Sequence, residues 1–403
     1  MHDVVIVGAG PGGSAAAYYL AKQGLDVLLL DKAEFPRDKT CGDGLTPRAL
    51  KVLEDMNLLA ELQEVGWRIN GVELHAAHGS IMKAPIPKEN GYLDQLLIVP
   101  RLKLDDRIRQ RALSAGVSFH SPVRVRGVEQ EDGHVCIRGD HNGKPAKYEA
   151  RLAIMAVGAN MGMLSQLGIL NYKPKTILAA RGYYEGVSGL SDRVQAHFQD
   201  VPLPGYAWVF PISETAANIG IGFWKTDLPW RKQPPSARAA LKLWIDQNAK
   251  IKAMLAGAEP LGPIRGYPLR VDFPTAPTYQ GRILLVGEAA GLVSPLTGEG
   301  IDFALESSRL AGGYISEMFA AGDFSAARLA GYDKMLRDHF QRVFVFLTYL
   351  RRVYINPLLM SRAVKATNKF PELKDTLTNI LMGHEDAASM ITFSAFRKVV
   401  FGF

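Results

Sequence analysis

Apolar and polar positions divide this chain into three textures. The first is set by an unbroken apolar run, Val4-Val5-Ile6-Val7, then Gly8, Gly10 and Gly13, a small-residue stretch from Ser14 to Gln23, and a second run from Val27 to Leu30 ending at Asp31. An apolar run without alternation, bounded by turn residues, predicts a strand buried on both faces. The opening therefore predicts strand, tight turn, helix and second strand. The pattern returns in Leu152 to Ala159 and in Gly281 to Gly291, and the second of these leads through Gly298-Glu299-Gly300-Ile301 into a helical pattern reaching about Met318. Before Leu152, Pro100-Arg101-Leu102 opens a helix, and Val128 and Val135-Cys136-Ile137 flank Gly133 as a hairpin.

The second texture covers residues 170–274, with short alternating runs, many glycines and prolines, and one helical stretch from Ser236 to Ala256. That pattern predicts an antiparallel sheet inserted into an α/β chain. Within it, Tyr206, Trp208 and Phe210 share one face of a strand, because side chains alternate with a period of two. The face is either sheet core or the wall of an apolar pocket. In the third texture, from residue 326 onward, Phe340, Val343, Phe344, Leu347, Leu350, Val353 and Tyr354 recur at helical spacing beside Arg342, Arg351 and Arg352. This amphipathic helix is either core or a membrane-facing surface.

The predicted class is thus α/β: a discontinuous Rossmann-type domain over residues 1–68, 92–160 and 275–325, an inserted antiparallel-sheet domain over 69–91 and 161–274, and a helical C-terminal segment over 326–403. At 403 residues, 47% hydrophobic and 22% charged, the chain has ample core for this. Cys41 and Cys136 cannot build a disulfide framework, the opening strand follows Met1 without a leader, and no stretch is apolar enough to span a bilayer. A cytoplasmic setting is expected. Of the net charge of +7, residues 326–403 carry +6, with 12 Lys and Arg against 6 Asp and Glu. Together with Met390, Ile391, Phe393, Phe396, Val399, Val400, Phe401 and Phe403 around Arg397 and Lys398, this raises peripheral contact with the inner face of an anionic membrane. Nothing points to nucleic acid, and the histidines show no metal-ligand spacing.

The opening glycines carry specific chemistry. Gly8 permits the sharp turn, Gly10 lets a pyrophosphate approach the backbone, and Gly13 lets the helix pack on the sheet, while free N–H groups at the helix start favour an anion. Asp31 sits where a carboxylate accepts hydrogen bonds from an adenosine ribose and repels the extra phosphate of NADP. The second glycine-rich turn, at residues 287–301, suits another anchoring point for an elongated cofactor. No third such unit appears, so no separate nicotinamide domain is expected.

These motifs resemble the FAD-dependent oxidoreductases related to p-hydroxybenzoate hydroxylase, and within them the geranylgeranyl reductase family. Gly8-Ala9-Gly10-Pro11-Gly12-Gly13 with Asp31 is shared by many flavoproteins, and Gly287-Glu288-Ala289-Ala290-Gly291 with Gly298-Glu299-Gly300-Ile301 matches the second FAD motif. Lys39-Thr40-Cys41-Gly42-Asp43-Gly44-Leu45 and Tyr206-Ala207-Trp208-Val209-Phe210-Pro211 resemble the family's flavin loop and substrate pocket. The resemblance implies non-covalent FAD, with Gly12 by the pyrophosphate and Asp31 on the ribose. It further implies Cys41, Gly42 and Gly44 passing the isoalloxazine, Arg101 at the phosphate or ribityl region, Val123 near the adenine, and Gly300 and Ile301 at the pyrimidine edge. Glu288 departs from the family's Asp and keeps the contact only if its loop recedes by about one methylene.

The implied activity is reduction of isolated double bonds in a polyprenyl chain, on a lipid, diphosphate, chlorophyll precursor or quinone, with NADPH or a ferredoxin-type protein as external reductant. An unconjugated alkene has no carbonyl to store charge, so hydride delivery must be matched by a proton donor. Cys41 and Tyr206 are the candidates, Cys41 ahead, and Tyr206, Trp208 and Phe210 are the expected substrate wall. The competing readings are an aromatic hydroxylase on the same fold, a flavin halogenase, against which the lack of a Trp-x-Trp-x-Ile-Pro stretch argues, and a flavin-bound electron carrier or interaction protein without substrate chemistry.

Overall fold

The computed structural model describes residues 1–88, 91–225, 234–354 and 357–381. The opening strand, His2–Val7, lies in the middle of a parallel sheet because its residues 4–7 are buried on both faces. Lys144–Met155 and then Ile283–Leu285 follow on one side, and Val27–Leu30 and then Ser118–His120 on the other. A hairpin of Val123–Glu131 and His134–His141 pairs antiparallel with the early part of Lys144–Met155. The parallel strands end at Gly8, Asp31, Ala156 and Val286, and the crevice beyond such carboxyl ends is where open α/β sheets bind ligands.

The first helix spans Pro11–Lys22, starting earlier than the apolar spacing alone suggested because Pro11 takes the first helical position after Gly10. Its buried face is almost all small residues, Gly12, Gly13, Ala15, Ala16 and Ala17. The Ile301–Ala321 helix can therefore approach closely, and Ser308 Oγ donates to the Gly12 carbonyl at 2.7 Å. A β-carbon on Gly13 would lie 1.7 Å from the Gly8 carbonyl oxygen, so glycine there is a requirement of packing.

The second sheet orders Glu259–Pro260, Thr176–Glu185, Ala216–Trp224, Gly205–Pro211, Arg193–His197, Gly71–His75 and Ile81–Pro85, with Arg265–Arg270 also on Thr176–Glu185. Its pairs are antiparallel except Arg193–His197 with Gly71–His75. One face is covered by the helix Ala237–Gln247, whose Trp244 is fully buried. The single helix expected over Ser236 to Ala256 is two. Asn248 leaves the helical conformation, and its side chain accepts the Ile251 N–H at 3.2 Å to cap the second helix, Ala249–Met254. The chain is thus a mixed α/β fold with a parallel dinucleotide sheet, a largely antiparallel second sheet and a helical C-terminal part.

The amphipathic stripe near residue 340 turns out to be core. It lies on a helix spanning Ala326–Tyr354, with Phe340 and Phe344 fully buried against Phe273 and Phe303, and Leu347 buried with Val343 and Leu350 beside it. Identical spacing serves a core and a membrane face, and only the neighbours decide. The apolar run between Met390 and Phe403 lies outside the described residues. Among the described residues, no helix is long and apolar enough to cross a membrane.

Candidate functional site

A cavity of about 980 Å³ opens between the two sheets, at the upper end of the ~300–1,000 Å³ common for ligand pockets. Gly8, Gly10, Gly12, Asp31, Cys41, Gly42, Gly44, Arg101, Val123, Glu288, Gly300, Ile301, Tyr206, Trp208 and Phe210 all border it. Gly13 is the exception, because it packs beneath Gly8. One end is polar and glycine-lined; the other is apolar, walled by Leu74, Ile98, Val194, Phe198 and Leu296.

At the polar end, Asp31 Oδ2 accepts the Ala9 N–H at 2.7 Å and Oδ1 accepts the Ala33 N–H at 2.9 Å. The carboxylate thus folds its own loop, and each oxygen keeps a lone pair for a ribose hydroxyl. The Val123 N–H donates to the Asp31 carbonyl at 2.7 Å, which holds Val123 at the same end. A β-carbon on Gly10 would meet only Arg37 Nη2, at 3.6 Å, so the cavity there is open to the backbone. At the other anchoring point Gly300 caps the Ile301–Ala321 helix, whose first-turn N–H groups are available to an acceptor. An elongated ligand with a phosphate near Gly10 and a carbonyl edge near Ile301 fits both ends.

Glu288 borders the cavity, and both of its carboxylate oxygens have partners there. Its Oε1 accepts the Arg270 N–H at 3.1 Å and its Oε2 lies 3.5 Å from Lys39 Nζ. Burial works against the Lys39 charge, but Glu288 and the Tyr267 ring, 4.7 Å from the ammonium, hold its pKa above the usual value. Arg101 is buried, paired bidentately with Asp105 at 2.6 and 2.7 Å, and its charge acts on the nearby Cys41 thiol.

The Lys39–Gly44 loop lies against the aromatic wall. A β-carbon on Gly42 would come within 3.1 Å of the Phe210 ring, and the rings of Tyr206, Trp208 and Phe210 follow one another at 6.0 and 6.1 Å. Burial pushes the Cys41 thiol pKa up, against the pull of the Arg101 charge and the Asp43 backbone. The Tyr206 hydroxyl donates to the Thr297 carbonyl at 2.6 Å, which commits its hydrogen.

Residues not assigned a role from sequence complete the site. Asn218 Nδ2 donates to the Cys41 carbonyl at 2.7 Å and to Asp43 Oδ2 at 2.8 Å, while its Oδ1 accepts Trp208 Nε1–H at 3.0 Å. Tyr183 Oη donates to Asp43 Oδ2 at 2.5 Å, and Arg181, stacked 4.0 Å over the Tyr183 ring, pairs with Asp38. Burial raises Asp43 to about 6. It does the same for Asp302, at the start of the Ile301–Ala321 helix, and pushes the neighbouring Glu299 up as well. The signal in the sequence was slight: a carboxylate between Gly42 and Gly44, and Asn218, Gly220 and Gly222 at every second position opposite the aromatics. On the hairpin, Glu129, Glu131 and Cys136 bring three ligand-type atoms within 4.8 Å of one another, but none borders the cavity.

Fold and site together define a dinucleotide-binding flavoprotein oxidoreductase. The family described as FAD binding domain matches residues 1–346, and the chain belongs to it, within the geranylgeranyl reductase group. Menaquinone reductase of Mycolicibacterium smegmatis is 32% identical, over 85% of this chain and 82% of that protein. Digeranylgeranylglycerophospholipid reductase 1 of Methanopyrus kandleri is 31% identical, over 85% of this chain and 88% of that one. A geranylgeranyl bacteriochlorophyll reductase-like protein of Thermoplasma acidophilum shares the fold, with a TM-score of 0.79 at 24% identity, covering 99% of this chain and 95% of that one. The protein is an FAD-dependent oxidoreductase.

Proposed function

We propose that this protein saturates isolated C=C bonds of a polyprenyl chain, of the geranylgeranyl type, carried on a lipid or a quinone. The observation that carries the reading is a thiol kept protonated by burial, on a loop packed against an aromatic wall that leads into an apolar recess. FAD, once reduced by NADPH or a ferredoxin-type protein, would supply the hydride. Gly10, Gly12 and the first turn of the Pro11–Lys22 helix would receive its pyrophosphate, Asp31 and Val123 its adenosine end, and Gly300 and Ile301 its pyrimidine edge. Arg101, Lys39 and Glu288 would border its middle, with Cys41, Gly42 and Gly44 beside the ring.

The chain's own part in the chemistry is the proton. Cys41 Sγ holds it at neutral pH because burial disfavours the thiolate, and gives it to the alkene carbon that does not take the hydride. The Arg101 guanidinium and the Asp43 N–H, both of which favour the charged sulfur, would stabilise the thiolate left behind. Tyr206 is better suited to the wall than to donation, since its hydrogen is held by Thr297. Trp208 and Phe210 exclude water and give shape to methyl branches, where an aromatic hydroxylase would need polar groups to orient a phenol.

The test is to incubate the reduced protein with a geranylgeranyl glycerolipid and with a menaquinone and to read product masses. A gain of two hydrogens per saturated bond, lost in Cys41→Ala with FAD retained, is the expected result. Oxygen consumption with hydroxylation of a small phenol would overturn the reading. The same products made at equal rate by Cys41→Ala would remove the donor assignment alone.

A further inference from the structure

The site contains a carboxylate that the chemistry above does not use. Asp43 is fully buried and borders the cavity two residues from Cys41. It is one of the few non-glycine residues with a left-handed backbone, φ 66°. Both of its side-chain donors, Tyr183 Oη at 2.5 Å and Asn218 Nδ2 at 2.8 Å, go to Oδ2. Among the described residues Oδ1 has no partner, although it is buried. A buried carboxylate oxygen left without a donor is costly when charged and far less so when it carries a proton. Asn218 also grips the Cys41 carbonyl, so one side-chain amide ties the Cys41 backbone to the Asp43 carboxyl.

We propose that Asp43 is the proton reservoir that re-protonates Cys41 between turnovers, with Asn218 and Tyr183 as positioning residues. This rests on Cys41 being the donor to the alkene. In the reductive step the π bond breaks, one carbon takes the hydride and the other takes the proton from Sγ, leaving a thiolate. The Asp43 Oδ1–H bond then breaks, the S–H bond re-forms and a carboxylate remains. Solvent entering as product leaves returns the proton to Oδ1. The only reductant is the flavin hydride already invoked, and each turnover consumes one hydride and one proton.

The surrounding charges agree with this order of events. Burial is the largest influence on Asp43 and raises it to about 6, while Tyr183, Asn218, Arg181 and Arg101 pull the other way. Filling the cavity with cofactor and an apolar chain removes further water and moves it higher still. Cys41 feels the Asp43 charge directly, as it feels those of Arg101 and Lys39. A charged Asp43 therefore makes a thiolate next to it harder to form, so the pair carries at most one negative charge at a time.

Asp43→Asn tests the role in the FAD-loaded enzyme, because asparagine has the same shape, tolerates a positive φ and can still accept from Tyr183 and Asn218. Pre-reduced Asp43→Asn should saturate its first double bond within about twofold of the wild-type rate, since the thiol begins protonated. Its steady-state rate with the same geranylgeranyl lipid should fall at least tenfold, lose the decline with rising pH expected of the wild type, and recover with a small carboxylic acid in the buffer. Tyr183→Phe, which removes a hydrogen bond that holds Asp43 down, should shift that decline to higher pH. Equal losses in first and later turnovers with an unmoved pH profile would make Asp43 structural and overturn the relay. A first turnover that survives Cys41→Ala would remove the donor assignment and take the relay with it.

Discussion

The indole of Trp208 lies on Gly220: a β-carbon at position 220 would come within 2.1 Å of Trp208 Cζ2 and 2.4 Å of Cε2. The two residues are direct partners across antiparallel strands, as Tyr206 is with Gly222 and Phe210 with Asn218. Each aromatic of the wall thus has a glycine or an asparagine opposite it. The missing side chains let the Trp208 ring settle against the sheet, where Nε1–H reaches Asn218.

Gly220→Ala is the direct test of that packing. No positive φ is involved at Gly220, so the cost is steric, and overpacking of this kind amounts to about 1–3 kcal/mol. Denaturant midpoints should fall accordingly, and alkene reduction should drop while the FAD-to-protein absorbance ratio stays near that of the wild type. An unchanged midpoint and rate would mean that both the indole and the Ala180 carbonyl, 2.6 Å from that β-carbon, have room to move.

Gly10→Val separates cofactor binding from folding. Its β-carbon would find only Arg37 Nη2 nearby, so the protein should fold with a near-native Tm in the absence of flavin. Two further methyl groups would then occupy the space proposed for the pyrophosphate. The variant is expected to purify colourless and to bind added FAD at least a hundredfold more weakly, measured by flavin fluorescence. Stoichiometric yellow protein would move the pyrophosphate elsewhere.

Acid stability should depend on Glu306, which is buried between Arg48 and His339 and accepts a 2.7 Å hydrogen bond from His339. Burial works to raise its pKa, but His339 and Arg48 prevail and lower it to about 2 from 4.5. A depressed carboxylate contributes stability above the unfolded pKa and loses it as the pH falls toward the folded one. The contribution is on the order of 3 kcal/mol at neutral pH. Asp43 and Asp302, raised to about 6, act in the opposite sense and gain stability as the pH falls from above 6 to about 4. Urea midpoints should therefore rise as the pH falls from 7 to about 4.5 and drop below it. Glu306→Gln should start lower at pH 7, because the buried ion pair with Arg48 is lost, and lose little more in acid.

The parallel sheet was legible because Val4–Val7, Val27–Leu30 and Leu152–Met155 are continuous apolar runs with glycine or acid at their ends, and that pattern has few other uses. The wall at residues 206–210 was legible as one face, though its function as core or pocket depended on the cavity across from it. Asp43 could be seen between two glycines, but its role could not, since its partners Tyr183 and Asn218 lie 140 and 175 residues away. The helix stripe from Phe340 to Leu350 was ambiguous for a related reason. Periodicity tells which residues share a side, while Phe273 and Phe303, which cover that side, come from other parts of the chain.

The ion pair of Lys39 and Glu288 joins the Cys41 loop to the turn before the second anchoring helix, across 249 residues of chain. Glu288 is the fixed member, since Oε1 is held by the Arg270 N–H and the side chain is about 10% exposed; Lys39 comes to it at 28%. An exposed pair of this kind would contribute little, but here both charges border the cavity and water is partly excluded. Lys39→Met and Glu288→Gln should each weaken FAD binding, and the double variant should weaken it by less than the sum, with a coupling of about 0.5–2 kcal/mol. Glu288→Asp should behave like Glu288→Gln in this respect, because one methylene fewer draws the carboxylate away from Lys39. The four dissociation constants of the Lys39→Met and Glu288→Gln cycle, measured by flavin fluorescence, decide the matter. Strict additivity would show that loop and turn hold the cofactor independently.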